Sequence, residues 1–127
     1  RCRNGWIPHN GNCYSFSRNE VSWSTANSIC GHYGSLASIT SSRENNVITS
    51  LIAKSPTKEV WIGLRRRKKR VWWTDGSGVT YMNWAPGEPN NHSGRKWPNK
   101  WWTRGEWNDI RCNNEFSFIC KARPMRF

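Results

Sequence analysis

Two stretches of this sequence combine residue types that could do chemistry, and both are cationic. Arg65-Arg66-Arg67-Lys68-Lys69-Arg70 is an unbroken basic run, and further along Arg95, Lys96, Lys100 and Arg104 alternate with Trp97, Trp101 and Trp102. A guanidinium fork grips a sulfate or phosphate through two parallel hydrogen bonds, while an indole face can stack on a sugar ring. The pattern points to holding an anionic ligand rather than to transforming one. A basic run on its own is ordinarily a solvated hairpin tip, so its meaning depends on what folds beside it. Catalytic constellations are missing from the sequence. His9, His32 and His92 have no recognisable partners, and neither a glycine-rich phosphate loop nor a nucleophile motif occurs. An enzyme is not expected.

Composition bounds what can carry these residues. At 127 residues the chain is expected to form one domain spanning 1–127, long enough for a real core. No apolar run is long enough to cross a bilayer, so no membrane span is expected. The first residues, Arg1-Cys2-Arg3-Asn4-Gly5, carry no signal pattern, so any export signal is expected to have been removed. Twenty Lys and Arg against eight Asp and Glu leave a formal charge of +12, a field that collects anionic partners. Nucleic acid would bind such a field nonspecifically in dilute salt, but no nucleic-acid motif is present and no specific nucleic-acid partner is expected. Ten tryptophans exceed what one small core can use, which puts several at the surface.

Five cysteines stand at positions 2, 13, 30, 112 and 120. With no CxxC pair and no histidine spacing suited to zinc, disulfides are the expected use, and they place the protein outside the cytosol as a secreted chain. The odd count leaves one thiol free or paired with another chain, and spacing alone does not choose the connectivity. A bridge such as Cys30 to Cys120 would tie a helix to the last strand.

The elements that must position these groups read as a strand over 13–18 by alternation, then a helix with Val21, Trp23, Ala26, Ile29, Cys30 and Tyr33 near helical spacing. Ser41-Ser42-Arg43-Glu44 is a capping box opening a second helix, with Val47, Ile48, Leu51 and Ile52 on one face until Ser55-Pro56. Short strands follow at 60–64, at 71–73 before an Asp75-Gly76 turn, and at 116–120. Residues 83–106, rich in Pro and Gly, read as a loop too long for a plain connector.

Trp61-Ile62-Gly63-Leu64, Glu88-Pro89-Asn90, Trp107-Asn108-Asp109 and the Cys112 to Cys120 spacing occur in the order found in one family. On these motifs the chain resembles a long-form C-type lectin-like domain over nearly its whole length. The resemblance implies an α+β fold with two helices flanking small antiparallel sheets and a long loop region that bears the ligand site. It also implies bridges Cys2 to Cys13 and Cys30 to Cys120. In sugar-binding members the positions matching Glu88, Asn90, Asn108 and Asp109 hold calcium through oxygen atoms that also hydrogen-bond vicinal hydroxyls, and Glu-Pro-Asn resembles the mannose, glucose, GlcNAc and fucose type.

The sequence departs from that pattern where it matters for the metal. Arg95 or Lys96 stands where the next acidic ligand is expected, and the basic run of residues 65–70 replaces the acids of an accessory calcium site. A unit-charge pair about 4 Å apart is worth ~4 kcal/mol at an effective dielectric of about 20, so exchanging a carboxylate for a cation removes tight binding. Calcium is therefore expected to be weak or lost at Glu88, Asn90, Asn108 and Asp109. The usual partner of Cys112 is replaced by Trp97 or Pro98, which makes Cys112 the candidate free thiol, a buried inert one or the site of a dimer bridge. Asn91-His92-Ser93 is an N-glycosylation sequon within the same region.

In the implied fold the turn after residues 61–64 lies close to the long loop. Arg65, Arg66, Arg67, Lys68, Lys69 and Arg70 would then join Arg95, Lys96, Trp97, Lys100 and Trp101 in one cationic face. The expected function is a secreted module binding glycans, anionic and sulfated ones above all, with weak or no calcium dependence. A calcium-dependent mannose or GlcNAc lectin is the first alternative. A basic matrix, antimicrobial or gamete surface-interaction protein is the second.

Overall fold

The computed structural model describes residues 1–53, 60–67, 70–83, 95–98, 107–110 and 114–125, with 66–67, 95–98 and 107–110 described through their backbone. Strands β1 (Ile7–His9) and β2 (Asn12–Val21) are joined through Asn10 and Gly11, both at positive φ, 46° and 81°. Asn-Gly is the dipeptide that adopts this pair of conformations most cheaply, and the turn it makes matches the twist of the strands it joins. The expected strand over 13–18 therefore begins one residue earlier, at the turn, and it runs on to Val21.

Helix α1 (Trp23–Gly31) starts only after Ser22, whose extended backbone and Oγ, accepting from the Thr25 N–H at 3.4 Å, make it the N-cap. Val21 was expected on the helical face and is instead the last residue of β2, paired with Phe116. A cap residue requires non-helical backbone before it, so the cap overrides the periodicity. Strand β3 (Ser35–Leu36) leads to helix α2 (Ser42–Ile52), where Ser41 Oγ accepts from the Glu44 N–H at 3.1 Å. This helix ends at Ile52, short of the expected stop at Ser55-Pro56, and residues 54–59 lie outside the described set.

The expected single strand over 60–64 is two. Strand β4 (Val60–Trp61) belongs to one sheet and β5 (Leu64–Arg67) to another. Gly63 sits at the crossing, donating to Ala37 O at 2.8 Å and accepting from the Thr74 N–H at 2.9 Å. A Cβ there would lie 2.8 Å from Leu36 O, so only glycine permits the approach. Strands β6 (Arg70–Trp73), β7 (Arg95–Pro98), β8 (Trp107–Ile110) and β9 (Phe116–Ala122) complete the fold among the described residues. The stretch 83–106, expected to be loop throughout, contains β7.

Central to the first sheet is β9, with β2 antiparallel along one edge and β3 antiparallel and β4 parallel along the other. The second sheet is antiparallel in the order β6-β5-β7-β8. One buried cluster packs Ile48, Leu51 and Ile52 of α2 on Tyr14, Ile39, Ile62, Leu64, Trp73 and Ile119. The other packs α1 through Trp23, Ala26 and Cys30 on Leu36, Trp61 and Phe118. Two buried indoles are satisfied by main-chain carbonyls, Trp23 Nε1–H donating to Ile62 O at 3.0 Å and Trp61 Nε1–H to Val21 O at 2.9 Å. Cys2 is bonded to Cys13, and Cys30 to Cys120 across 90 residues. Closing a loop of that length is worth about 4–5 kcal/mol in the chain-entropy account.

Candidate functional site

Four residues of the basic run lie on two paired antiparallel strands. Arg65, Arg66 and Arg67 lie on β5 and Arg70 opens β6, while Lys68 and Lys69 between them fall outside the described residues. Alternation along a strand sends successive residues to opposite faces. Leu64 and Trp73 are paired and buried in the core, so the next pair, Arg65 and Trp72, falls on the opposite face of the sheet. Arg67 pairs with Arg70 at that same parity, and Arg65 pairs on its other side with Arg95 of β7. Arg66 falls at the parity of Leu64 and is paired with Val71. Four arginines, Arg65, Arg67, Arg70 and Arg95, thus share one face across three strands.

Strand β8 adds Trp107, Asn108 and Asp109 to the same sheet. Lys96 pairs with Asp109 and Trp97 with Asn108, directly across the β7–β8 ladder. Glu88, Asn90, Lys100, Trp101 and Cys112 lie outside the described residues, as do Trp102, Arg104 and Asn91. Among the described residues no group of three or more His, Cys, Asp or Glu side chains is clustered to hold a metal ion.

Arg65 has a second role that sequence reasoning missed. Its guanidinium lies 5.2 Å from the Trp23 ring centroid and 5.7 Å from that of Trp72, so it clasps the hairpin to the start of α1. Such contacts contribute about 0.5–1 kcal/mol each at partly exposed sites. Of the tryptophan pair at the end of β6, Trp73 is core and Trp72 is half-buried beneath this arginine.

A second concentration of charge lies between α2 and β9. The Glu44 carboxylate accepts from Tyr14 OH, from the Thr40 N–H at 2.7 Å and from Thr40 Oγ1 at 3.0 Å, and it pairs with Lys121 Nζ at 2.5 Å. Lys121 also donates to Ser38 O at 3.3 Å and Ser38 Oγ at 2.9 Å, and Ser38 Oγ donates to Asp75 Oδ2 at 2.6 Å. Both ends of the ion pair are nearly buried, with side-chain exposures of 11% for Lys121 and 7% for Glu44. Burial pushes the Glu44 carboxyl up, but the hydrogen bonds from Lys121, Tyr14 and Thr40 outweigh it and hold the group below the usual glutamate range. Burial and the bond to Glu44 push the Tyr14 phenol well above its ordinary value. The capping box named the right glutamate for the helix start, yet its carboxylate turns inward to these partners. Nothing in the sequence pointed to Lys121.

This two-helix, two-sheet frame, with its bridges and the motif strands side by side, is matched by a family model described as the Lectin C-type domain, over residues 19–122. The chain belongs to the C-type lectin domain family. Among its relatives, C-type lectin lectoxin-Phi1 of Philodryas olfersii is 36% identical over 94% of this chain and 83% of its own length. A C-type lectin mannose-binding isoform of Oxyuranus scutellatus is 33% identical over 96% of this chain and 84% of its own length. The solved structure of a calcium-independent type II antifreeze protein matches with a TM-score of 0.88 and 28% identity, covering 98% of this chain and 96% of its own. The family is one of lectins rather than enzymes.

Proposed function

We propose that this C-type lectin domain is a secreted glycan-binding module that holds anionic, sulfated glycans on the cationic face of the β5–β8 sheet, with weak or no dependence on calcium. The observation that carries this reading is the register of β7, which sets Arg95 beside Arg65 and Lys96 opposite Asp109. Like charges directly opposite on a sheet destabilise it, so Arg65 with Arg95 and Arg67 with Arg70 are pairs that a bound sulfate would relieve. The backbone register pairs Lys96 with Asp109, and a motif whose acidic position is paired with a lysine does not suit tight calcium binding. The likeness to a calcium-independent protein of the same fold supports a frame that stands without the metal.

The test is binding of heparin oligosaccharides and of mannose-type and GlcNAc sugars, each in calcium and in chelator across a salt series. Sulfated ligand held equally in both and released by salt is the expected result. Chelator-sensitive binding confined to mannose or GlcNAc would replace the reading with the calcium-dependent one, in which Glu88, Asn90, Asn108 and Asp109 hold the metal.

A further inference from the structure

A groove opens beside Thr74, the residue after β6, at the Trp73 end of that strand. It has a volume of about 720 Å³, within the range of small-ligand sites, and its walls come from β2, β3, β9 and the loop after β6. Its polar groups are held in place from behind. Asp75 Oδ1 accepts from the Ser77 N–H at 2.8 Å and Oδ2 from Ser38 Oγ at 2.6 Å. A carboxylate has about four acceptor sites, so this one keeps capacity for hydroxyl donors. Tyr33, 49% exposed, also lines the groove, with the Arg3 guanidinium 5.3 Å from its ring centroid and the Trp6 ring packed edge-to-face, centroids 5.6 Å apart. These contacts fix the ring as a platform.

Charge separates this groove from the rest of the molecule. Lys121 beneath it is neutralised by Glu44 and Asp75 offsets Arg123 on the wall, so with the Arg3 guanidinium over Tyr33 the groove carries about one formal positive charge in a chain of net charge +12. An anion would collect elsewhere. A groove of low net charge lined by the held Asp75 carboxylate, by serine and threonine hydroxyls and by the Asn12 carboxamide, with one aromatic ring, suits a ligand with many hydroxyl donors and an apolar ring face.

We infer that the Tyr33–Asp75 groove is a second, calcium-independent site for a neutral oligosaccharide, stacked on Tyr33 and hydrogen-bonded through vicinal hydroxyls to Asp75. It is separate from the cationic face and does not rest on it.

The experiment is amide chemical-shift mapping of the whole chain in chelator, titrated with chitotriose and with mannotriose up to about 10 mM, the range in which weak single sites are read. Expected are saturable shifts at Ser35, Asp75, Ser77 and Lys121. Tyr33→Ala and Asp75→Asn, each confirmed folded by its thermal transition, should weaken them at least about tenfold, or 1.4 kcal/mol. Absence of shifts in the groove would overturn the inference, as would shifts confined to the β7–β8 strands or shifts that both variants leave unchanged. Because heparin binding reads on β5 and β7 instead, failure here and failure of the cationic-face reading are told apart residue by residue.

Discussion

Two places where the described residues gather charge follow opposite rules. Between α2 and β9, Glu44 and Lys121 are nearly buried, opposite in sign, and ringed by Tyr14, Thr40 and Ser38. On the β5–β7 strands the cross-strand partners are like in sign, Arg67 with Arg70 and Arg65 with Arg95. A buried pair must be neutralised by the protein itself, because water is not there to do it. A set of like charges on one face is stabilised by what arrives from solution. The first arrangement serves the fold, and the second is what the proposed polyanion site would use.

The contrast is sharpest in unfolding experiments. Glu44→Ala strands Lys121 and should cost about 3–5 kcal/mol in urea titration, the range found when one partner of a buried pair is removed. Replacing both, Glu44→Leu with Lys121→Met, should return most of that loss; a single variant within about 1 kcal/mol of the parent would show that the pair is no anchor. For the other region the signs should reverse. Arg67→Ala with Arg70→Ala should weaken heparin binding at least about tenfold, since charge-assisted bonds contribute about 1.5–3 kcal/mol each. In the same variant, stability should hold or rise by up to about 1 kcal/mol as the like-charge pair is relieved. Loss of stability together with binding would break the comparison.

Dependence on pH separates the regions again. Because the folded Glu44 carboxyl sits below its ordinary range, its contribution is full above that range and is lost as pH falls through the lowered value. The Tyr14 phenol is raised, so its contribution is full below the ordinary tyrosine value of 10.0 and declines as pH rises beyond it. Urea midpoints followed across pH should show both limbs, with Glu44→Gln flattening the acid one and Tyr14→Phe the alkaline one. Substituting the hairpin arginines should change neither limb. The smallest effect is expected at Arg65, where Lys in place of Arg gives up the planar stack between Trp23 and Trp72 for about 0.5–1 kcal/mol, read by urea titration and tryptophan fluorescence.

How far these regions were legible in the sequence differs for the same reason. The hairpin cations are consecutive, and the capping box is local, so both could be read from spacing. That the run divides by parity, with Arg66 on the other face from Arg65 and Arg67, was not readable, because the strand read over 60–64 stopped short of it and the burial of Leu64 that fixes the parity belongs to the fold. The Asp75-Gly76 turn was readable, with Gly76 at φ 84°. Its use of Asp75 to hold Ser38 and Ser77 beside a groove was not, because those partners lie 37 residues back and two residues on, on different elements. The splitting of 60–64 at Gly63 was hidden for a similar reason, since an apolar run carries no sign of which sheet each half joins.

The sequence by itself determined the family, the existence of the two helices, the capping box of the second and the cationic balance, because these depend on residue type and short spacing. Only the tertiary structure decided that Arg95 stands beside Arg65, that Lys96 faces Asp109, and that Glu44 turns from its cap to Lys121, 77 positions away in the sequence. Register and burial are set by contacts between distant segments, and the free energy of those contacts outweighs the local preferences that a single sequence displays.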